Sequence, residues 1–327
     1  MQENPRECSA FARLTAPGCR SADPNCYRAD MSRSRGVRVV AGIAGVLVSL
    51  FGTAVLVPVS AGAAASGSGP VDVLSAGSLQ TLMQDQVGPA FAKATGYTLN
   101  NTSMGSTAIA NGIKGGTLQG DVFISASPSV NTSLQGAANG NWVSWYATFG
   151  SSPLVLGYNP SSRFSHSLRT KAWYDVVDQP GFLLGRTDPT TDPKGVLAVT
   201  ALDEASRAHH IEALKSLASS TSNVFPETSL VGELQAGQLD AGFFYGVEAA
   251  AAQLKTVPLT GTKLAGLYTI TILNRALHEP AAESFVTFLL GSEGRKILEA
   301  NGIVAIVPPK VSGSSAVPHG LAKSLSR

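Results

Sequence analysis

The sequence predicts an α/β protein in which helices cover mostly parallel sheets. Three observations carry that expectation. Strand-like and helix-like segments alternate from Pro70 onward, 327 residues at 44% hydrophobic content suffice for one large core or two lobes, and no internal repeat interrupts the alternation.

The elements follow in order. Val71 to Ser75 reads as a short strand, and Leu79, Leu82, Met83, Val87, Phe91 and Ala94 then recur at helical spacing up to Gly96, where a helix would end. Tyr97 to Asn100 is strand-like, Ile109 and Ile113 fit a short helix after Gly105-Ser106, and Asp121 to Ser125 is the next buried strand. Leu154 to Tyr158, Gly181 to Gly185 and Ala241 to Tyr245 continue as strands, with one helix expected from about Val196 to Leu217. Gly261 to Ala265 reads as a connection and Leu267 to Leu273 as strand. Pro280 suits a first helical turn, and Phe285, Leu289, Ile297 and Leu298 supply the apolar faces of the last helices.

The first 65 residues differ in kind. Met31 is a second plausible start, followed by Arg33, Arg35 and Arg38, an apolar run from Val39 to Val59, and the small residues Ala63-Ala64-Ala65. That is the architecture of an export signal, with cleavage expected near Ser66; residues 1–30 then read as a start-site artefact and 31–65 as a signal peptide. The alternative is an uncleaved membrane anchor, since the run is long enough to span a bilayer. Cys8, Cys19 and Cys26 all precede Met31, so the expected mature chain has no disulfide, no thiolate chemistry and no lipidation site.

Charge excludes one class of partner. Residues 1–65 hold 7 of the 24 basic and 4 of the 22 acidic side chains, leaving a nearly neutral remainder without a basic stripe, so nucleic acid is not an expected ligand.

Two turns draw attention to an anion instead. Ser75-Ala76-Gly77-Ser78-Leu79 and Ser103-Met104-Gly105-Ser106-Thr107 each place Gly-Ser between a strand and a helix. Such a turn directs free backbone N–H groups, the positive end of the helix dipole and a hydroxyl at one point. The other reading of each serine is an ordinary helix N-cap.

With those turns, Gly120 to Ala126, Asp188-Pro189-Thr190-Thr191-Asp192-Pro193-Lys194-Gly195, Asp240 to Tyr245 and the stretch from Phe285 to Val304, the chain resembles the molybdate- and tungstate-binding proteins of ABC importers over nearly all of residues 70–306. The resemblance implies the type II periplasmic-binding-protein fold: two lobes, each with a sheet flanked by helices, joined by hinge strands and closing on the ligand. Lobe one would take 70–153 and 270–312, lobe two 154–269, and 313–327 would be a tail. It further implies that Ser78 and Ser106, with Gly77 and Gly105, bind the oxyanion, that Tyr245 is the site tyrosine, and that Asp192 supplies the second lobe's backbone donor.

Asp192 stands where the molybdate branch of that family has an apolar residue and the tungstate-like branch has Asp. A carboxylate beside an oxyanion helps only by coordinating the hexavalent metal itself. That branch pairs it with a glutamate near the tyrosine; here Phe244 precedes Tyr245 and the nearest acid is Glu248. Hydrogen bonding through Asp192 is therefore expected over direct coordination. Arg186 and Lys194 are expected to form a solvated pair beside the loop, and Tyr245 reads equally as a core aromatic.

The implied function is extracytoplasmic capture of a tetrahedral oxyanion, molybdate or tungstate, by a periplasmic or extracellular monomer that delivers it to a membrane permease, with no cofactor and no metal site beyond the oxyanion. Another anion, sulfate, phosphate or an organic acid, is the alternative. An enzyme on the same fold has less support, because G-x-S-x-G, Walker and H-E-x-x-H motifs are absent and the five histidines, His166, His209, His210, His278 and His319, are scattered. His209 and His210 are neighbours on an expected helix, where adjacent side chains diverge.

Overall fold

The computed structural model describes residues 67–326. The expectations for the leader and its cysteines lie outside the described residues. No helix among those described is long and apolar enough to cross a membrane.

Ten strands form one curled mixed sheet: β1 (Pro70–Ala76), β2 (Thr98–Met104), β3 (Val122–Ser125), β4 (Tyr146–Tyr158), β5 (Leu184–Thr187), β6 (Val224–Phe225), β7 (Ala241–Tyr245), β8 (Lys255–Pro258), β9 (Ala265–Ile272) and β10 (Val304–Ser312). Their order is β2-β1-β3-β9-β4-β7-β5-β6, with β8 and β10 also pairing with β4. The expected mostly parallel character is confined to the two flanks, where strand–helix–strand crossovers run: β2-β1-β3 at one end, β7-β5-β6 at the other. Between them the pairings of β4 and β9 are antiparallel.

β4 is long enough to serve both flanks. Its first half lies beside β9 and β10, and its second half, Leu154 to Tyr158, pairs with β7 and β8. β9 bonds to β3 as well as β4, so these two neighbouring strands carry the chain between the flanks.

The helical run after β1 begins as a 3-10 turn at Gly77–Leu79, passes through a π turn at Met83–Val87 and ends at Thr95. Leu79, Leu82, Met83, Val87 and Phe91 form its fully buried face, and Gly96 stops it in the left-handed conformation at φ 82°. The helix expected over 196–217 is two helices, Pro193–His209 and Glu212–Ser219. His210 divides them by adopting φ 58°, which ends the hydrogen-bond ladder without a glycine to announce it.

Two small apolar clusters hold the helices that matter below. Ile109, Ala110 and Ile113 of the helix Ser106–Lys114 pack on Leu74 and Phe123. Leu230 and Leu234 of the helix Glu227–Gln235 pack on Phe244 and Ala249. Burying a leucine or isoleucine side chain is worth roughly 1.5–3 kcal/mol, so each helix start is anchored by its own apolar face.

Candidate ligand-binding site

The C-terminal ends of β1, β2, β5, β6 and β7 each lead into a turn and a helix, the edge of a parallel α/β sheet at which ligands collect. Here the turns of one flank touch those of the other. Ala108 N–H donates to the Thr191 carbonyl at 3.0 Å, and a Cβ on Gly105 would stand 2.5 Å from that oxygen. Ser78 N–H donates to Glu227 Oε1 at 2.9 Å, and a Cβ on Gly77 would collide with the same carboxylate. Both glycines are thus required by close approach across the sheet.

Neither serine is an N-cap. Gly105 occupies the cap position of its helix and Ser106 the first helical position; Ala76 occupies it before Gly77–Leu79. Both serines are buried and each hydroxyl has one protein partner: Ser106 Oγ accepts from Ala126 N–H at 3.1 Å, and Ser78 Oγ meets the Tyr268 hydroxyl at 2.8 Å. Ser106 therefore keeps its own proton for another acceptor.

Asp192 corrects its expected role. Its N–H donates to the Asp188 carbonyl at 2.9 Å within the loop and is not a free donor. Its side chain caps the helix Pro193–His209 through Oδ1, which accepts from Lys194 N–H at 3.2 Å. Asp192 Oδ2 has no hydrogen-bond partner among the described residues, and neither do Glu227 Oε2 and the Tyr245 hydroxyl, all of them buried. Leaving such groups unsatisfied costs about 1–3 kcal/mol each; Asn131 Oδ1 and Thr187 Oγ1 are buried and unpartnered as well, and Asp192, Glu227 and Tyr245 lie near enough for their charges to shift one another's protonation. The two carboxylates share a design: one oxygen is held by a backbone N–H and the other is free.

The expected solvated pair of Arg186 and Lys194 is also corrected. Arg186 is buried and caps carbonyls of Thr187, Ala218 and Ser220 at 3.1, 3.0 and 2.6 Å, a structural role that desolvates its guanidinium. Lys194 is fully buried; its Nζ lies 2.6 Å from Glu248 Oε2 and 3.7 Å from Glu227 Oε1. Burial alone would lower the Lys194 pKa, but the carboxylates of Glu248, Glu227 and Asp192 raise it above the ordinary value, so it stays an ammonium. Burial raises the carboxyl of Asp192 and pushes that of Glu227 well up, the like charge of Asp192 adding to the latter and Lys194 opposing both. Burial likewise pushes the Tyr245 hydroxyl well above its usual range, so it is a donor. Lys194 is thus a fixed cation behind the two half-free carboxylates.

The structure brings Ser78, Gly77 and Glu227 together at one turn, and Gly105, Ser106 and Asp192 at the other. Tyr245 joins them through the Tyr268 ring, its ring centroid 6.0 Å away. Glu227, Lys194 and Tyr268 were not legible as site residues. A weak signal existed for Glu227 in Pro226-Glu227, a helix start outside the apolar pattern, but nothing local connects it to Gly77.

A second polar constellation lies at the opposite ends of β1 and β3, where Asp72, Asp121 and His278 each present a ligand atom within 4.8 Å of the others. Asp121 accepts at Oδ1 from the N–H groups of Leu277 and His278 at 2.7 and 2.9 Å, and at Oδ2 from Asp72 N–H at 2.8 Å beside His278 Nδ1 at 2.9 Å. Its lone pairs are filled by protein; it ties the start of the helix Glu279–Leu290 to the sheet.

Residues 71–304 match the family model of the bacterial extracellular solute-binding proteins, and the chain belongs to that family. Among curated relatives, it is 27% identical over 215 residues to an uncharacterised solute-binding protein of Petrotoga mobilis, spanning 55% of this chain and 67% of that one. It is 30% identical over 176 residues to a putative ABC transporter molybdenum-binding protein of Haloferax volcanii, spanning 54% of each. With a molybdate/tungstate-binding protein of Pyrococcus abyssi the identity is 22% over 226 residues, 53% of this chain and 66% of that one. The chain thus spans about half to two thirds of the length of these relatives. The periplasmic molybdate-binding protein of Azotobacter vinelandii superposes with a TM-score of 0.58 at 18% identity, covering 72% of this chain and 98% of that one. The sulfate-binding protein of Mycobacterium tuberculosis superposes equally, TM-score 0.58 at 15% identity over 73% and 88%. The fold is therefore the two-lobed periplasmic-binding-protein fold.

Proposed function

We propose that this protein captures molybdate or tungstate outside the cytoplasm and hands it to an ABC permease in the membrane. Lobe one (70–153 with 270–312) and lobe two (154–269) close on the anion about β4 and β9. Ser78, Ser106 and Tyr245 donate hydroxyl protons to its oxygens. Asp192 Oδ2 and Glu227 Oε2 supply two more oxygens to the metal centre.

One observation carries this reading: two buried carboxylates, each with one oxygen tied to a backbone N–H and the other unpartnered, beside two Gly-Ser turns. Against sulfate, which is fully ionised, those carboxylates would only repel, because it neither opens its four-oxygen shell nor carries a proton to donate; hydrogenphosphate, whose P–OH can donate to a carboxylate, is the second reading, and titration with phosphate beside molybdate separates the two. Hexavalent molybdenum and tungsten are hard acceptors that take additional oxygen ligands, which turns the repulsion into coordination. Glu227 supplies the second acid that Asp192 lacked in the sequence, so coordination is preferred here to the hydrogen-bonded role first expected of Asp192.

X-ray absorption at the molybdenum K edge of the molybdate-loaded protein tests this. The proposal expects a shell of more than four oxygens with a weakened tetrahedral pre-edge feature; an unaltered four-oxygen spectrum contradicts it.

A further inference from the structure

The Ser78–Tyr268 contact contains one proton too many for one hydrogen bond. Two hydroxyls share a 2.8 Å contact, each is buried, and neither oxygen has another side-chain or backbone partner among the described residues. One proton lies in the contact and the other must find an acceptor elsewhere. If Ser78 donated, the surplus proton would sit on Tyr268, inside β9 and packed against the rings of Phe149 and Tyr245 at 6.4 and 6.0 Å. If Tyr268 donates, the surplus proton sits on Ser78, in the turn whose N–H already faces a carboxylate oxygen. A phenol is the better donor and the poorer acceptor of the two, which favours the second arrangement.

We infer that Tyr268 is a positioning residue for the oxyanion site: it donates to Ser78 Oγ and so aims the Ser78 proton at the ligand. The inference rests on the proposed oxyanion site. Accepting one bond while donating another also polarises the Ser78 hydroxyl and strengthens the bond it makes. Tyr268 keeps its proton throughout, since burial pushes its pKa well above the usual tyrosine range. Its place on β9, one of the two strands linking the flanks, would make the donor's direction depend on the approach of β9 to the first turn.

A double-mutant cycle tests this, with molybdate affinity measured by calorimetry for the wild type, Tyr268→Phe, Ser78→Ala and the double variant. Tyr268→Phe should weaken binding about three- to tenfold in the wild-type background and cause no further loss once Ser78 is Ala. Equal losses in both backgrounds would overturn the relay, because Tyr268 would then act on its own or through packing. As a second variant, 3-fluorotyrosine at position 268 keeps ring and hydroxyl and should bind at least as tightly as wild type; a loss as large as that of Phe would also overturn it. Wild-type protein that binds none of molybdate, tungstate and sulfate would remove the site itself, whereas a binding wild type with an additive cycle removes only this inference.

Discussion

Replacing Glu227 by Gln removes a titratable carboxyl group from the buried cluster and leaves the shape of the side chain. The amide oxygen can still accept from Ser78 N–H, now 2.9 Å from Glu227 Oε1. The free Oε2 becomes an NH₂ group, which cannot coordinate a metal and can donate to an anion. Lys194 keeps its short partner, Glu248 Oε2 at 2.6 Å, so the ammonium is not orphaned. Removing a desolvated carboxylate whose pKa burial raises should leave the ligand-free melting temperature unchanged or higher. Molybdate and tungstate affinity should fall by about 1.5–3 kcal/mol, roughly ten- to a hundredfold, on the scale of a lost interaction between charged partners. Sulfate should move in the opposite direction, because a repelling oxygen has become a donor. Calorimetric titration of the variant with molybdate and sulfate reads both. An equal loss for the two anions, or none for molybdate, would refute the claim that Glu227 coordinates the metal centre.

Other changes separate binding from stability. Ser78→Ala and Ser106→Ala should each weaken the oxyanion by roughly ten- to a hundredfold in titrations of the folded protein, and each should also lower stability in denaturant unfolding by about 1–3 kcal/mol, because the Tyr268 hydroxyl or the Ala126 N–H is left buried without its partner. Tyr245→Phe should cost about 1.5–3 kcal/mol of affinity and stabilise the ligand-free protein, since it removes an unpartnered buried hydroxyl; unchanged binding would make Tyr245 core alone. Lys194→Met should destabilise by about 3–5 kcal/mol in denaturant unfolding by leaving Glu248 uncompensated, and Glu248→Gln in the same chain should recover most of that loss. Asp121 provides a pH dependence: burial would raise its pKa, but bonds from the Asp72, His278 and Leu277 N–H groups and from the His278 ring hold it below the ordinary value. Its contribution is therefore complete above the unfolded pKa of about 3.9 and disappears as pH falls through the lower folded value, so Asp121→Asn should flatten the acid limb of the stability curve.

The parts of this site that sequence patterns reach are those encoded within one strand–turn–helix unit. Gly77-Ser78 and Gly105-Ser106 stand where a buried strand gives way to an apolar helical period, and β7 ends at Tyr245 as its run of buried residues requires. What escapes local pattern is carried by distant pairs. Glu227 reaches Ser78 across 149 residues and Tyr268 reaches it across 190, so neither leaves a periodic trace. Lys194 reads as a surface cation because lysine is rarely buried; only the meeting of three carboxylates around it makes burial affordable. The break at His210 escaped for a different reason, a left-handed residue that is not glycine. The antiparallel middle of the sheet was hidden because β4 changes partners halfway along, at the exposed Pro153, and strand direction leaves no local trace in the residues on either side of it.

Competitive titration of the protein with molybdate, tungstate and sulfate tests the account most directly. Molybdate and tungstate should bind tightly, one anion per chain, and excess sulfate should fail to displace them. Sulfate binding as tightly as molybdate, or no binding of either metal oxyanion, would contradict it.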